Sequence, residues 1–197
     1  MAGHPANLNE VCKLRKKYNF KIIEDSCHAL GGLYKNTKIG SCKYSDLSTF
    51  SFQAVKSITT GEGGMITTNN KKDYEYLIKL RSHGMHKVKN NFLNKDMAFD
   101  KFGNKNMWYY EMEELGFNYR ITDMQAALGL SQLDKLSYII KAKQDIYSQY
   151  VSILEGEVDF LIVTNSFTHV PFRVVVFVKD AQKTIDYMSS HGVEGRS

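Results

Sequence analysis

Long apolar runs, paired cysteines and clustered charge are all missing from this sequence, and each absence removes a class of protein. No stretch approaches the length of a membrane span, and the N-terminus lacks a charged-then-apolar leader. Cys12, Cys27 and Cys42 are the only cysteines, an odd number without paired spacing, so no disulfide framework is expected and a reducing cytoplasm is the simplest compartment. The 26 Lys and Arg residues are scattered among 21 Asp and Glu, and the net charge of +5 is not gathered on one face. The densest basic clusters, Lys13 to Lys17 and Lys87 to Lys95, lie among polar residues and read as solvated surface, so no nucleic-acid footprint is expected. Proline, with two residues, is scarce but uninformative about function. There is no internal repeat and no low-complexity segment.

What is present is ordinary for a globular protein: 43% hydrophobic and 24% charged residues over 197 positions, enough to bury a sizeable core. Helical and strand patterns alternate. Leu8, Val11, Leu14 and Tyr18 are close to helical spacing. Phe20 to Ile23 reads as a short buried strand ending at Glu24-Asp25, Leu47 to Phe52 as a second strand and Gly64 to Thr68 as a third. Asp73 to Arg81 reads as a helix stopped at His83-Gly84. Val88 to Asn106 has no period and reads as a long loop. Thr122 and Gln125 have the spacing of a capping box, with Ala126, Ala127, Leu130 and Leu133 as the apolar stripe of the helix that follows. A long helix is expected from about Leu136 to Leu154, a β-branched strand over Phe172 to Val178, and a helix over Ala181 to Ser190. Alternation of strands and helices predicts an α/β layered sheet, in which ligands gather at the carboxyl ends of strands.

Two clusters fall at such ends. Asp25 follows the first strand, where a partly desolvated carboxylate calls for a cation or a hydrogen-bonded role such as a helix cap. Ser51-Phe52-Gln53-Ala54-Val55-Lys56 closes the second strand, followed by Thr59-Thr60-Gly61-Glu62-Gly63-Gly64. Hydroxyls with nearby backbone amides can hold a phosphate, and a lysine in a partly buried pocket can act as an amine nucleophile. The lysine precedes the glycines, so this is not a Walker loop. A lysine and an acid at the ends of successive strands are the pair that a pyridoxal phosphate ring requires.

These segments, with Glu24-Asp25-Ser26-Cys27-His28-Ala29-Leu30-Gly31, Leu115-Gly116-Phe117-Asn118-Tyr119-Arg120-Ile121-Thr122-Asp123 and Gln125-Ala126-Ala127-Leu128-Gly129, resemble the DegT/StrS family of nucleotide-sugar aminotransferases in content and order. Ser82-His83-Gly84 and Met107-Trp108-Tyr109-Tyr110-Glu111 resemble its pseudaminic-acid pathway branch, the UDP-4-amino-4,6-dideoxy-N-acetyl-altrosamine transaminases. The resemblance implies a three-layer αβα fold of the aspartate aminotransferase type (fold type I). It divides the chain into part of the large cofactor domain (1–135), a linking helix (136–155) and an incomplete small domain (156–197). The implied reaction is C4 amination of a nucleotide-linked 4-keto-6-deoxy sugar, with glutamate as donor and pyridoxal 5'-phosphate as cofactor, in a cytoplasmic homodimer that shares its active site across subunits.

By position, Lys56 would be the Schiff-base lysine and proton shuttle, and Asp25 the partner of the pyridine nitrogen. His28 would lie near the ring, Ser51 would bind the cofactor phosphate, and Asn118 would reach the phosphate in the neighbouring subunit. Arg120 is as well explained by a structural ion pair, and Gln53 stands where the branch usually has His.

The resemblance also implies missing chain. Met1-Ala2-Gly3-His4-Pro5 matches the middle of a family segment, so an upstream Gly-Thr-Ala turn and a ring-stacking aromatic are expected to be absent. The C-terminal residues match only the start of the small domain. Losing several charge-assisted phosphate contacts, each worth roughly 1.5–3 kcal/mol, would weaken cofactor binding by orders of magnitude. An unpaired sheet edge would lower solubility. A non-catalytic remnant, or a half that needs a partner, is therefore the alternative. A sugar dehydratase of the same lineage would carry His in place of Lys56. A metal held by Cys27, His28, Cys42, His83 and His86 is not expected, since the spacings match no zinc pattern.

Overall fold

A computed structural model describes residues 2–86, 92–161 and 167–197. The first helix, α1 (Leu8–Tyr18), is opened by Asn7, whose side chain accepts from the Glu10 amide, and closed by Asn19 in the left-handed conformation. Arg15, Lys16 and Lys17 stand in its last turn, where cations complement the helix dipole. The chain then enters β1 (Ile23–Asp25), the short hairpin β2 (Leu33–Tyr34) and β3 (Thr37–Lys38), β4 (Leu47–Ser51) and β5 (Gly64–Thr68).

The central sheet has the order β1-β4-β5. β1 runs parallel to β4, with Ile23 beside Leu47 and Asp25 beside Thr49. β5 is antiparallel to β4 and sets Gly64 opposite Ser51. Along β4 burial alternates: Ser48 and Phe50 point inward, and Ser48 Oγ shares a 2.7 Å hydrogen bond with Ser26 Oγ. Phe50, Phe52 and Ile58 form the core on this side, with Leu30, Ile39 and Leu136 packed against them.

The expected Phe20–Ile23 strand is displaced. Ile22 is buried, but its amide donates to the Asp46 carboxylate, and ladder pairing begins at Ile23, which is 62% exposed on the edge of the sheet. α2 (Lys71–Leu80) starts two residues before the expected Asp73 because the Asn70 side chain accepts from the Lys72 and Asp73 amides.

Next come β6 (Met85–His86), α3 (Lys95–Ala98) and β7 (Glu111–Met112). The expected loop from Val88 to Asn106 lies partly outside the described residues; its described part contains α3, and its Phe92 and Ala98 form a compact cluster with Tyr109 beyond it. α4 (Asp123–Leu133) carries the expected capping box of Thr122 and Gln125. Its expected stripe is not buried: Leu130 and Leu133 are exposed, and Gly129 is the residue that packs, against Thr60.

α5 (Leu136–Ile153) leads to β8 (Asp159–Phe160), β9 (Phe167–Thr168), β10 (Val176–Phe177) and α6 (Ala181–Ser190). β10 pairs with β8, and β9 pairs with β2. Only two residues of the expected Phe172–Val178 strand are paired, because the chain at Phe172 turns to bond the Ala2 carbonyl and to lay its ring elsewhere.

The crossing of β6 and β7 depends on two glycines. A Cβ on Gly84, which has φ +67°, would lie 1.8 Å from the Glu114 carbonyl oxygen, and one on Gly116 would lie 2.2 Å from the Gly84 nitrogen. Gly84→Ala should therefore destabilise the chain by about 2 kcal/mol or more. Urea denaturation should show a lower midpoint; an unchanged midpoint would mean that this crossing is not tight.

Candidate active site

The parallel register of β1 and β4 brings their carboxyl ends together. Asp25 ends β1, Ser51 ends β4, and Lys56 follows on a loop that is tied back at both ends. Phe52 donates its amide to the Gly63 carbonyl and its carbonyl accepts from Thr60, while the Lys56 amide closes a turn on Gln53. Inside the loop, Thr59 Oγ donates to the Phe52 carbonyl and Thr60 Oγ to the Glu62 carbonyl. α4 buttresses this loop, since Gln125 Nε2 donates to the same Glu62 carbonyl at 2.9 Å.

Asp25 is largely exposed, though burial still acts on its carboxylate to raise the pKa. Its carboxyl is nevertheless held below the usual range by hydrogen bonds from the Cys27 thiol and backbone N–H, with His28 and Lys56 adding to the effect. The Cys27 amide donates to Asp25 Oδ1 at 3.1 Å. The Cys27 thiol is pushed up by burial and by its hydrogen bond to Asp25. His28 is held below its ordinary 6.5, first by burial and then by the charges of Lys56 and Arg173. Asp25, His28 and Lys56 thus form one electrostatic group. Ser51 Oγ, at the adjacent strand end, accepts from the Gln53 amide at 3.3 Å. Asn118 is exposed on another segment, its backbone bridged to Ser82, and no hydrogen bond among the described residues ties it to the group.

Three residues not anticipated from sequence complete the arrangement. The Phe172 ring stacks on His28, with centroids 3.8 Å apart and planes 13° from parallel. Lys56 Nζ lies 4.8 Å from the Phe172 centroid, Lys143 Nζ 5.5 Å and Arg173 Cζ 5.7 Å. Lys143 Nζ also donates to Ser57 Oγ at 3.3 Å, and burial lowers its pKa. No local pattern marks Phe172 or Lys143 as neighbours of residue 56, since α5 and the segment after β9 are distant in sequence. A cleft of about 600 Å³ lined by Gly3–Ala6, α1 and β1 also reaches Asp25 and His28.

Residues 1–196 match the DegT/DnrJ/EryC1/StrS aminotransferase family. The chain belongs to that family. A Campylobacter jejuni relative described as UDP-4-amino-4,6-dideoxy-N-acetyl-beta-L-altrosamine transaminase is 40% identical over 149 residues, which are 76% of this chain and 35% of the relative. The structure of Helicobacter pylori PseC, an aminotransferase involved in the biosynthesis of pseudoaminic acid, superposes with a TM-score of 0.81 at 28% identity over 97% of this chain and 48% of PseC. The PMP form of Spr1654 from Streptococcus pneumoniae gives 0.80 at 25% identity over 98% of this chain and 53% of that one. The fold is therefore the fold type I architecture of DegT/DnrJ/EryC1/StrS aminotransferases, and the chain spans between a third and about half the length of these relatives.

In this DegT-family chain a depressed His28 pKa has a stability consequence. Burial also lowers the pKa of His169. Both rings favour the neutral state when folded, so their contribution is complete above 6.5 and is lost as pH falls through the lower folded values. NMR titration should find His28 protonating below 6.5, and Lys56→Met should move that value upward without restoring it fully, since burial remains. An unmoved His28 titration would separate the two side chains.

Proposed function

We propose that this chain forms the lysine-bearing part of a pyridoxal phosphate-dependent nucleotide-sugar aminotransferase. The observation that carries the reading is the grouping of the Asp25 carboxylate, the His28 imidazole and the Lys56 amine at one end of β1 and β4. The donor set fits the cofactor. Asp25 is held ionised, as a protonated pyridine nitrogen demands, and Ser51 stands at the adjacent strand end, where its hydroxyl could donate to a phosphate.

When bound, the pyridoxal ring supplies the electron sink that lets an amino group pass from donor to sugar. The roles of this chain's residues follow from their chemistry. Asp25 balances positive charge at the ring nitrogen. Lys56 holds the cofactor and moves a proton at Nζ. His28, kept neutral, offers a polar contact without adding charge, and Ser51 Oγ donates to phosphate. Asn118 reaches the cofactor of a second copy. The similarity to the altrosamine transaminases supports a UDP-linked 4-keto-6-deoxy-N-acetylhexosamine as substrate, aminated at C4, with glutamate as donor. Residues 1–135 serve as cofactor domain, 136–155 as linking helix and 156–197 as part of a small domain. The free thiols of Cys12, Cys27 and Cys42 support a reducing cytoplasm, and no described helix is long and apolar enough to cross a membrane.

A second reading, a half that functions only when completed by other segments or another copy, is favoured by its surface. The accessible area is 14120 Å², against about 9,500 Å² for a compact monomer of this mass. Met124, Leu130 and Leu133 of α4, and Leu115, Phe117 and Tyr119 before it, are exposed apolar residues that such a surface would cover.

Two measurements test these readings. With saturating pyridoxal phosphate, borohydride reduction and peptide mass mapping should place the adduct on Lys56, and Lys56→Ala should remove it. Lys143, whose pKa is lowered by burial, is the competing amine, and an adduct there would overturn the assignment. Ultracentrifugation should give a dimer mass that Leu130→Glu reduces to that of a monomer; a monomer before substitution removes the homodimer.

A further inference from the structure

Away from this site, the β6–β7 ladder assembles a second group of ligating side chains. His86 is the direct cross-strand partner of Glu111. Paired residues share a face of the ladder, and Glu113, just past the end of β7, brings its carboxylate to the same place. The result is a cluster in which His86 Nε2, a Glu111 oxygen and a Glu113 oxygen all lie within 4.8 Å of one another. His86 Nε2 is 2.9 Å from Glu113 Oε1 and 3.6 Å from Glu111 Oε2.

These contacts do not satisfy the imidazole. Nε2 is buried with no partner in hydrogen-bond geometry, although two carboxylate oxygens lie close by. The His86 side chain is only 10% exposed, as is that of Glu111. Its ring packs on Phe92 at 5.5 Å, which fixes its direction toward the carboxylates. An unpartnered buried imidazole nitrogen flanked off-axis by oxygens is what a metal-binding trio presents. Tetrahedral coordination at bond lengths near 2.1 Å separates neighbouring ligand atoms by about 3.4 Å. The observed 2.9 and 3.6 Å bracket that value.

The surroundings hold the ligands ready. Glu111 Oε1 accepts from the Asn94 amide and the Tyr109 hydroxyl, and Oε2 from the Leu93 amide, each at 2.8 Å. Burial alone would raise the Glu111 pKa, but those hydrogen bonds outweigh it and keep the group ionised. Lys79 Nζ engages the other Glu113 oxygen, Oε2, at 3.1 Å and Glu114 at 2.7 Å, leaving Oε1 turned toward His86. The Glu113 side chain is 29% exposed, which leaves an approach from solvent and room for a water as fourth ligand.

We propose that His86, Glu111 and Glu113 form a binding site for a divalent transition ion of the zinc type. One imidazole nitrogen with two carboxylate oxygens suits zinc, cobalt or their neighbours better than magnesium or calcium, which take oxygen alone. Bound there, the ion would tie β6 to β7 and, through Glu111, to the start of α3. This inference does not depend on the aminotransferase reading.

Cobalt(II) is the probe. Titrated into the metal-free chain at about pH 7.5, where imidazole is neutral, it should give saturable visible absorption at one ion per chain, which zinc displaces. His86→Ala should weaken binding by roughly 100-fold and Glu113→Gln by about 10-fold or more. Circular dichroism of the metal-free variants should match the parent. In the unsubstituted chain, zinc should shift the His86 ring signals. Should His86→Ala fail to fold, Glu113→Gln and the zinc-dependent His86 signals decide. Absence of saturable binding would overturn the proposal and leave His86 as a packed side chain between two carboxylates. A near-ultraviolet thiolate-to-metal band, or binding indifferent to both substitutions, would overturn it in favour of a cysteine site.

Discussion

The register of β1 on β4 is the constraint on which the candidate site rests. Because the two strands are parallel and Asp25 stands beside Thr49, their carboxyl ends open on the same edge of the sheet. β5 then returns antiparallel with Gly64 opposite Ser51, so residues 52–63 form a loop whose two ends are held by one ladder. A Cβ on Gly64 would sit 2.7 Å from the Phe50 carbonyl oxygen, which explains why the return strand begins on glycine. Ile58, 1% exposed, anchors the middle of the loop in the core with Phe50 and Phe52. Lys56 is thereby presented from a fixed loop rather than a free one. A one-residue slip of β1 would turn Asp25 to the opposite face.

The electrostatics of the site follow from that placement. Lys56, Lys143 and Arg173 approach one aromatic ring, while Asp25 is the carboxylate that the hydrogen bonds of Cys27 keep ionised beside them. Positive charge therefore exceeds negative charge around Phe172, and His28, stacked against that ring, is kept neutral by burial and by the cations. Such a setting favours anionic ligands, whether phosphate or carboxylate.

Much of the architecture was legible because its causes are local. The bounds of α1, β5 and α6 and the Thr122–Gln125 capping box follow from spacing and end signals. The strand ends at Asp25 and Ser51 were legible for the same reason. What was not legible is decided by residues far apart in the chain. The Ile22 amide is taken by Asp46, which delays β1; Asn70 pulls the start of α2 forward; and Phe172 leaves its strand to cover His28. The His86 cluster was hidden likewise, since only the pairing of β6 with β7 reveals that residues 25 positions apart share a face.

The failed stripe on α4 is of a different kind. Periodicity reports which face of a helix is meant to be covered, not what covers it. Here the loop that α4 supports needs close approach, which Gly129 supplies against Thr60, so the small-residue face turns inward. Leu130 and Leu133 are left outward with Met124, continuous in sequence with the exposed Phe117 and Tyr119 pair, whose rings stack 5.1 Å apart. Leucines at helical spacing left exposed among the described residues, on a chain whose accessible surface exceeds that of a compact monomer by about half, agree with the dimer proposed above. Asn118 lies between those two aromatics in sequence and is exposed with them, so its surroundings are set by the same uncovered segment rather than by the β1–β4 strand ends.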